Sequence, residues 1–184
     1  MVKGMGLVQL VRLARARKRR ARALLDEPLH RYLDRRILPS RWYPEEDYLA
    51  LIGVVVRLLA EENGAGDRAS VLAELGAGQA RQDLEGPYGI MLRRGDPAGT
   101  LERLGSLWRL YHDSGRMSAA VQSPGRALVV LEAFPPITGE LTAVIGGFVA
   151  EALRLAGARD VRVELGDAPR DGARWQLTWA PGDA

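Results

Sequence analysis

Ile37-Leu38-Pro39-Ser40-Arg41-Trp42-Tyr43-Pro44-Glu45-Glu46-Asp47-Tyr48 is the stretch from which the architecture is read. Two apolar residues and Pro39 end one segment, and Pro44 begins another. Proline suits the first helical position because the N–H it lacks would have no partner there and its φ is already near the helical value. Glu45, Glu46 and Asp47 put three carboxylates in the first turn, where the positive end of the helix dipole favours them. Trp42 and Tyr43 bring large amphipathic surfaces to the junction. The stretch reads as a helix start with an aromatic anchor, not as a catalytic constellation.

Outward from it, the N-terminal side is helical and basic. Leu7, Leu10, Val11 and Ala14 recur at helical spacing, and the pattern predicts one helix over about 5–25. A short helix over 28–36 follows, closed by Pro39. The helix begun at Pro44 runs to Glu62 and stops at Asn63-Gly64, with a turn through Asp67. A further helix spans 69–84, and Gly76 and Gly78 within it point to close packing against a neighbour, because glycine costs a helix about 1 kcal/mol each against alanine. Arg94-Gly95-Asp96-Pro97 is a turn, followed by a helix over 98–110.

Beyond Tyr111 the texture changes. Residues 116–121 and 127–133 have strand character and flank a Ser123-Pro124-Gly125 hairpin turn; 161–165 and 175–179 alternate as a second strand pair around Asp171-Gly172. The apolar segment 138–155 between them predicts a long helix stopped by Gly157. The expected fold class is α+β, a helical N-terminal half followed by an antiparallel sheet of two hairpins packed against that helix. One domain over 1–184 is expected, made of a basic helical region (1–36), a helical region (37–110) and a sheet region (111–184).

Composition excludes much chemistry. Apolar residues make up 47% and charged residues 27% of the 184, and there is no cysteine. Disulfides, thiolate zinc, iron–sulfur clusters and cysteine nucleophiles are therefore absent. The lack of cysteine fits a reducing, cytoplasmic setting. The longest apolar run, Leu49–Val56, is too short to span a bilayer, so no membrane span is expected. With two histidines and no His-Glu-x-x-His spacing, no metal site is expected. No Gly-x-x-x-x-Gly-Lys-Ser/Thr loop occurs, and Gly76-Ala-Gly-Gln lacks the third glycine of a dinucleotide fingerprint.

Charge is concentrated at one end: residues 1–41 carry twelve Lys/Arg against three Asp/Glu, whereas the rest is net negative. Arg15, Arg17, Arg19 and Arg22 are the candidate anion-binding residues, with nucleic acid or an anionic surface as partner; a solvated helix face is the alternative. His112, beside Asp113, Ser114 and Arg116, is the densest polar cluster. It reads as a helix end with Gly115 in the left-handed conformation, because sequence neighbours do not make a triad, and no catalytic residue is assigned.

Four further blocks accompany the opening one: Glu74-Leu-Gly-Ala-Gly-Gln-Ala-Arg-Gln-Asp-Leu-Glu-Gly-Pro-Tyr88, Arg94-Gly-Asp-Pro97 leading to Leu107-Trp-Arg-Leu-Tyr-His-Asp-Ser-Gly-Arg116, Phe134-Pro135, and Ala152-Leu-Arg-Leu-Ala-Gly-Ala-Arg-Asp-Val161. In order and spacing they resemble an uncharacterised family of proteins of about this length that is expanded in myxobacteria. That family is distantly similar to the vinyl-reductase-type small-molecule-binding domains, which share a fold with haem–nitric-oxide sensors and TRAPP trafficking subunits. The resemblance implies the NO-signalling/Golgi-transport-like fold and a non-enzymatic sensory or adaptor module in signalling, binding a small apolar ligand or a protein partner. The cysteines with which vinyl-reductase-type domains bind metal do not recur at Gly172-Ala-Arg-Trp-Gln-Leu. Nor does Tyr111-His-Asp-Ser-Gly-Arg116 keep the Tyr-x-Ser-x-Arg spacing of the haem sensors, so no cofactor is expected. A homodimer through helical surfaces is expected. Trp42, Tyr43, Trp108, Tyr111 and Phe148 are the candidate ligand-binding side chains, with plain core packing as the alternative. Their expected pocket lies between helices 44–62 and 138–155 and the sheet, where Gly146-Gly147 leaves space.

Overall fold

The computed structural model describes residues 1–62, 68–167 and 169–180. The chain forms two interleaved compact units: Met1–Leu72 with Tyr111–Asp113, and Ala73–Leu110 with Ser114 onward. The expected stop at Asn63-Gly64 and the turn through Asp67 lie outside the described residues.

In the first unit, β1 (Val2–Lys3) leads into α1 (Gly4–Ala16), α2 (Lys18–Leu24), a 3-10 turn (Glu27–His30), α3 (Arg31–Asp34), β2 (Trp42–Tyr43) and α4 (Glu45–Glu62). The single helix expected over 5–25 is two helices, broken at Arg17. At the break the Arg17 guanidinium reaches back to the Leu13 carbonyl (3.3 Å), one of the unpaired carbonyls at the end of α1, and pairs with Glu62 at 2.7–2.8 Å. β1 and β2, which no periodicity announces, form a two-stranded antiparallel ribbon with Val2 opposite Tyr43 and Lys3 opposite Trp42. The backbone of 38–41 serves the start of α1, taking the Gly4 N–H at Arg41 O (2.8 Å) and the Met5 N–H at Pro39 O (3.0 Å). Gly4 is required there, since a Cβ would sit 2.2 Å from the Leu38 carbonyl oxygen. In α4, Leu51, Ile52, Val55, Val56 and Leu58 form the buried stripe.

The second unit takes α5 (Arg68–Leu84) from Ala73 on, a 3-10 turn (Gly89–Met91), α6 (Pro97–Leu101), α7 (Leu104–Tyr111) as far as Leu110, β3 (Arg116–Ser123), β4 (Arg126–Glu132), α8 (Gly139–Leu155), β5 (Arg159–Leu165) and β6 (Ala173–Ala180). The helix expected over 98–110 is two, α6 and α7, parted where Arg103 N–H turns tightly onto Thr100 O (3.2 Å). Asp96 caps α6 by accepting from Gly99 N–H (2.8 Å), and Thr138 caps α8 by accepting from Leu141 N–H (3.1 Å).

The sheet order is β3-β4-β6-β5, antiparallel throughout. Gly125, at φ +75°, closes the β3–β4 hairpin. Alternation buries Ala127, Val129 and Leu131 of β4 and Ala173, Trp175 and Leu177 of β6 on one face. Trp175 is fully buried, and its indole N–H donates to Thr142 O of α8 (3.1 Å). Gly146 and Gly147 do not leave the space expected of them. A Cβ on Gly147 would lie 2.1 Å from Ala73 O, and one on Gly146 would lie 3.4–3.6 Å from the Trp175 ring and Val163. At Gly147 the space is filled because α5 and α8 cross backbone to backbone; Gly146 instead faces the sheet, where Trp175 and Val163 lie at van der Waals distance.

Candidate functional site

Within the first unit, buried polar groups gather where α3 and the start of α4 meet. Tyr32, 1% exposed, donates its hydroxyl proton to the Asp47 carboxylate, which also accepts from Arg31. Burial, and the hydrogen bond to Asp47, push the Tyr32 phenol up to about 12. A folded-state value above the ordinary one near 10 means that the folded protein holds this proton more tightly than the unfolded chain. The resulting stability is present below pH ~10 and lost as pH rises toward ~12. Alkaline unfolding followed by circular dichroism is expected to steepen over that window. Tyr32→Phe removes that steepening and costs about 1–2 kcal/mol at neutral pH, because a buried carboxylate loses a donor. An unchanged alkaline profile contradicts this assignment.

The four candidate anion-binding arginines are largely committed within their own unit. Arg15 donates to Tyr32 O at 2.9 and 3.1 Å and also to Arg35 O, capping the end of α3. Arg17 pairs with Glu62, which holds that carboxyl below its usual range. Arg22 and Lys18 pair with Asp34 at 2.6 and 2.9 Å, and these two cations hold its carboxyl down to about 2. Arg20 bridges Glu61 and Glu62. Arg19 is exposed.

The candidate ligand-binding aromatics fall in different places. Trp42 is half-buried in β2 with the Lys3 ammonium 4.1 Å from its ring centroid. Tyr43 is half-buried; its hydroxyl accepts from Leu38 N–H (3.0 Å) and its ring lies 5.9 Å from that of Tyr32. Tyr111 is buried in the same unit, beside Gly6. In the second unit, Trp108 is buried, donates to Ser114 O (2.9 Å) and stands edge-on to Phe134 at 5.1 Å. Phe148 is half-buried on α8.

His112 follows α7 and belongs to the first unit, bridging to the Val2 backbone. Gly115 adopts φ +76°, the left-handed conformation expected of the helix end. Sequence reading does not find its partner: Glu45, 67 residues away, whose two carboxylate oxygens lie 3.2 and 3.3 Å from His112 Nδ1. One N–H serves one oxygen, leaving Glu45 Oε1 without a hydrogen bond. The Met1 ammonium contacts Asp113 and stands 3.7 Å from Glu45 Oε2. The rings of Tyr48 and Tyr111 lie 6.2 and 6.4 Å from the imidazole. A carboxylate orienting a histidine is half of an acid–base device, but at 8% and 5% exposure the pair is closed to a substrate. His30 is tied to the chain beside it: Nε2 lies 3.0 Å from Arg22 O and Leu25 O, and Nδ1 lies 3.3 Å from the Arg22 guanidinium.

No protein-family model and no curated protein matches the sequence. Solved structures do match in fold. An H-NOX of T. Tengcongensis is 13% identical, with a TM-score of 0.65 over 98% of this chain and 99% of that one. The Fe(II) unliganded H-NOX protein from K. algicida is 10% identical, with a TM-score of 0.66 over 97% and 96%. A structure concerned with haem distortion in the H-NOX family is 13% identical, with a TM-score of 0.66 over 99% and 97%. The chain therefore has the H-NOX fold along nearly its whole length. Haem is the group that this fold implies, and iron in such a site takes histidine, cysteine, methionine or tyrosine. Here there is no cysteine, both nitrogens of His30 are engaged, His112 is buried with Nδ1 on Glu45, and Tyr32 is committed to Asp47. His30 and Tyr32 are thus spent within the chain, and His112 is closed off by burial rather than by its Glu45 contact, which engages Nδ1 alone. Neither histidine stands open to a haem iron.

Proposed function

We propose that this chain is a non-enzymatic sensory or adaptor module, using the H-NOX scaffold without haem and acting through a protein partner or a small apolar ligand. The observation that carries the reading is that both histidines are closed off within the chain, His112 by burial at 8% exposure and His30 by backbone carbonyls on Nε2, while the scaffold persists over 99% of the length. A scaffold that keeps its fold and closes off both histidines is suited to recognition rather than to gas chemistry. The intramolecular commitments of Trp42, Tyr43 and Trp108 favour a protein partner over a small ligand. The wider kinship with vinyl-reductase-type domains and TRAPP subunits, and a long apolar helix backing the sheet, belong to the same proposal. Support for the latter is the Trp175–Thr142 hydrogen bond.

Titrating the purified protein with haemin tests the haem-free part. The expected result is the spectrum of free haemin at every ratio; a saturable Soret shift at one haem per chain, abolished by His30→Ala or His112→Ala, overturns it. Native mass spectrometry of protein from its host tests the recognition part. The expected result is a stoichiometric partner chain or bound apolar molecule, and the bare chain alone counts against the module.

A further inference from the structure

The basic N-terminal region divides into two sets of cations, and only one of them is neutralised. Arg17, Lys18, Arg20 and Arg22 face Glu61, Glu62 and Asp34. Among the described residues, no ion pair joins a carboxylate to Arg15, which is spent on backbone carbonyls, to Arg19, which lies on α2, or to the second set, Lys3, Arg12, Arg35, Arg36 and Arg41. The fold gathers this second set. Segment 35–41 runs back along α1, held by Arg15 to Arg35 O at one end and by Pro39 O and Arg41 O on the Met5 and Gly4 N–H groups at the other. Arg12 is exposed on α1 one turn before Arg15, on the same side. The result is a cationic ledge about 16 Å long, from the helical rise over eleven residues.

At one end of the ledge, Leu38–Arg41 form a turn closed by Arg41 N–H on Leu38 O (3.1 Å). Its base is fixed: Leu38 N–H donates to the Tyr43 hydroxyl (3.0 Å), and Lys3 Nζ donates to Ser40 O (3.1 Å). All four residues of the turn are exposed, and Leu38 at 47% is apolar surface between Arg36 and Arg41. We propose that this rigid turn and the ledge behind it are a peripheral docking surface for an anionic lipid bilayer, with Leu38 and Pro39 entering the interface and Arg12, Arg35, Arg36 and Arg41 meeting headgroup phosphates.

Three observations select that occupant. An exposed apolar residue flanked by Arg36 and Arg41 gains energy from a bilayer interface, whereas a nucleic-acid backbone rewards the arginines alone. The Trp42 face that could stack on a base carries Lys3 instead. The four residues of the turn are consecutive and all exposed, which offers a contact surface rather than a buried cleft that would enclose a peptide. No described helix is long and apolar enough to cross a membrane, so the contact is peripheral. This inference is independent of the partner or ligand proposed above.

Co-sedimentation of the full chain with phosphatidylglycerol vesicles, against phosphatidylcholine vesicles and duplex DNA, is the test. Expected are salt-sensitive binding to phosphatidylglycerol and none to phosphatidylcholine. The combined variant Arg35→Gln, Arg36→Gln and Arg41→Gln weakens binding about a hundredfold, at roughly fivefold per cation. Leu38→Ser weakens it about tenfold. Arg19→Gln leaves it unchanged, and thermal melts of all variants establish that they remain folded. No binding to phosphatidylglycerol overturns the proposal. So does a Leu38→Ser effect of zero, or DNA binding that equals lipid binding, since each leaves only a generic anion surface.

Discussion

Gly76→Ala and Gly147→Ala are each expected to destabilise the protein by about 3 kcal/mol, read as a lower urea midpoint at unchanged slope. Helix propensity argues the other way, since alanine favours a helix interior by about 1 kcal/mol over glycine. The close approach of α5 and α8 decides the sign. A Cβ on Gly76 would lie 1.9 Å from Val144 O and 2.8 Å from Phe148 N, and one on Gly147 would lie 2.1 Å from Ala73 O. Those neighbours are backbone, so no rotamer change relieves the overlap and one helix must move away from the other. The pairs 76 with 144 and 73 with 147 run in opposite senses along the two helices, so α5 and α8 are antiparallel here and both glycines serve one crossing. The double variant should therefore cost less than the sum of the singles, because the second methyl enters an interface already parted. Gly139→Ala, whose Cβ meets nothing within 4 Å, is the matched control and should be neutral or slightly stabilising. Wild-type stability in Gly76→Ala would contradict the crossing.

Local signals were legible and distant partners were not. Ser123-Pro124-Gly125 carries its own turn chemistry, Thr138 its own cap, and the alternation of 175–179 its own face, so the hairpins and α8 are readable from the chain. Gly76 is readable as a close contact because a helix interior tolerates glycine poorly without a packing reason. The break at Arg17 is invisible because the pair made there joins it to Glu62, 45 residues away. The run Arg15–Arg22 looks like a free anion-binding face for the same reason: its counter-charges, Glu61, Glu62 and Asp34, arrive by folding. Gly146-Gly147 reads as empty space in a sequence, whereas in the fold Gly147 is a helix contact and Gly146 faces Trp175 of the sheet, since absence of a side chain does not reveal what comes near. The ribbon of β1 and β2 spans two residues per strand, too few for any period to register.

Glu45 is the sharpest case, because its helix-start position explains it well enough without His112. His112→Ala is expected to cost about 3 kcal/mol, the low end of the penalty for breaking a buried pair, because the Met1 ammonium still stands 3.7 Å from Glu45 Oε2. At 5% exposure Glu45 cannot recover the loss from water, and its Oε1 already lacks a hydrogen bond. Glu45→Gln keeps the shape and an acceptor for Nδ1–H, so it should cost only about 1 kcal/mol. Replacing both at once, with Glu45→Met and His112→Leu, removes the orphaned charge with its partner. That double variant should lie well above His112→Ala in stability, close to wild type. Chemical denaturation of the four proteins closes the double-mutant cycle, and the coupling energy is the quantity that decides the role of the pair. A large coupling makes it part of what holds β1, the start of α4 and the end of α7 together. A coupling near zero, with His112→Ala as stable as wild type, means that a carboxylate and an imidazole are held 3.2 Å apart without any benefit to folding. The acid–base reading of His112 would then regain its force.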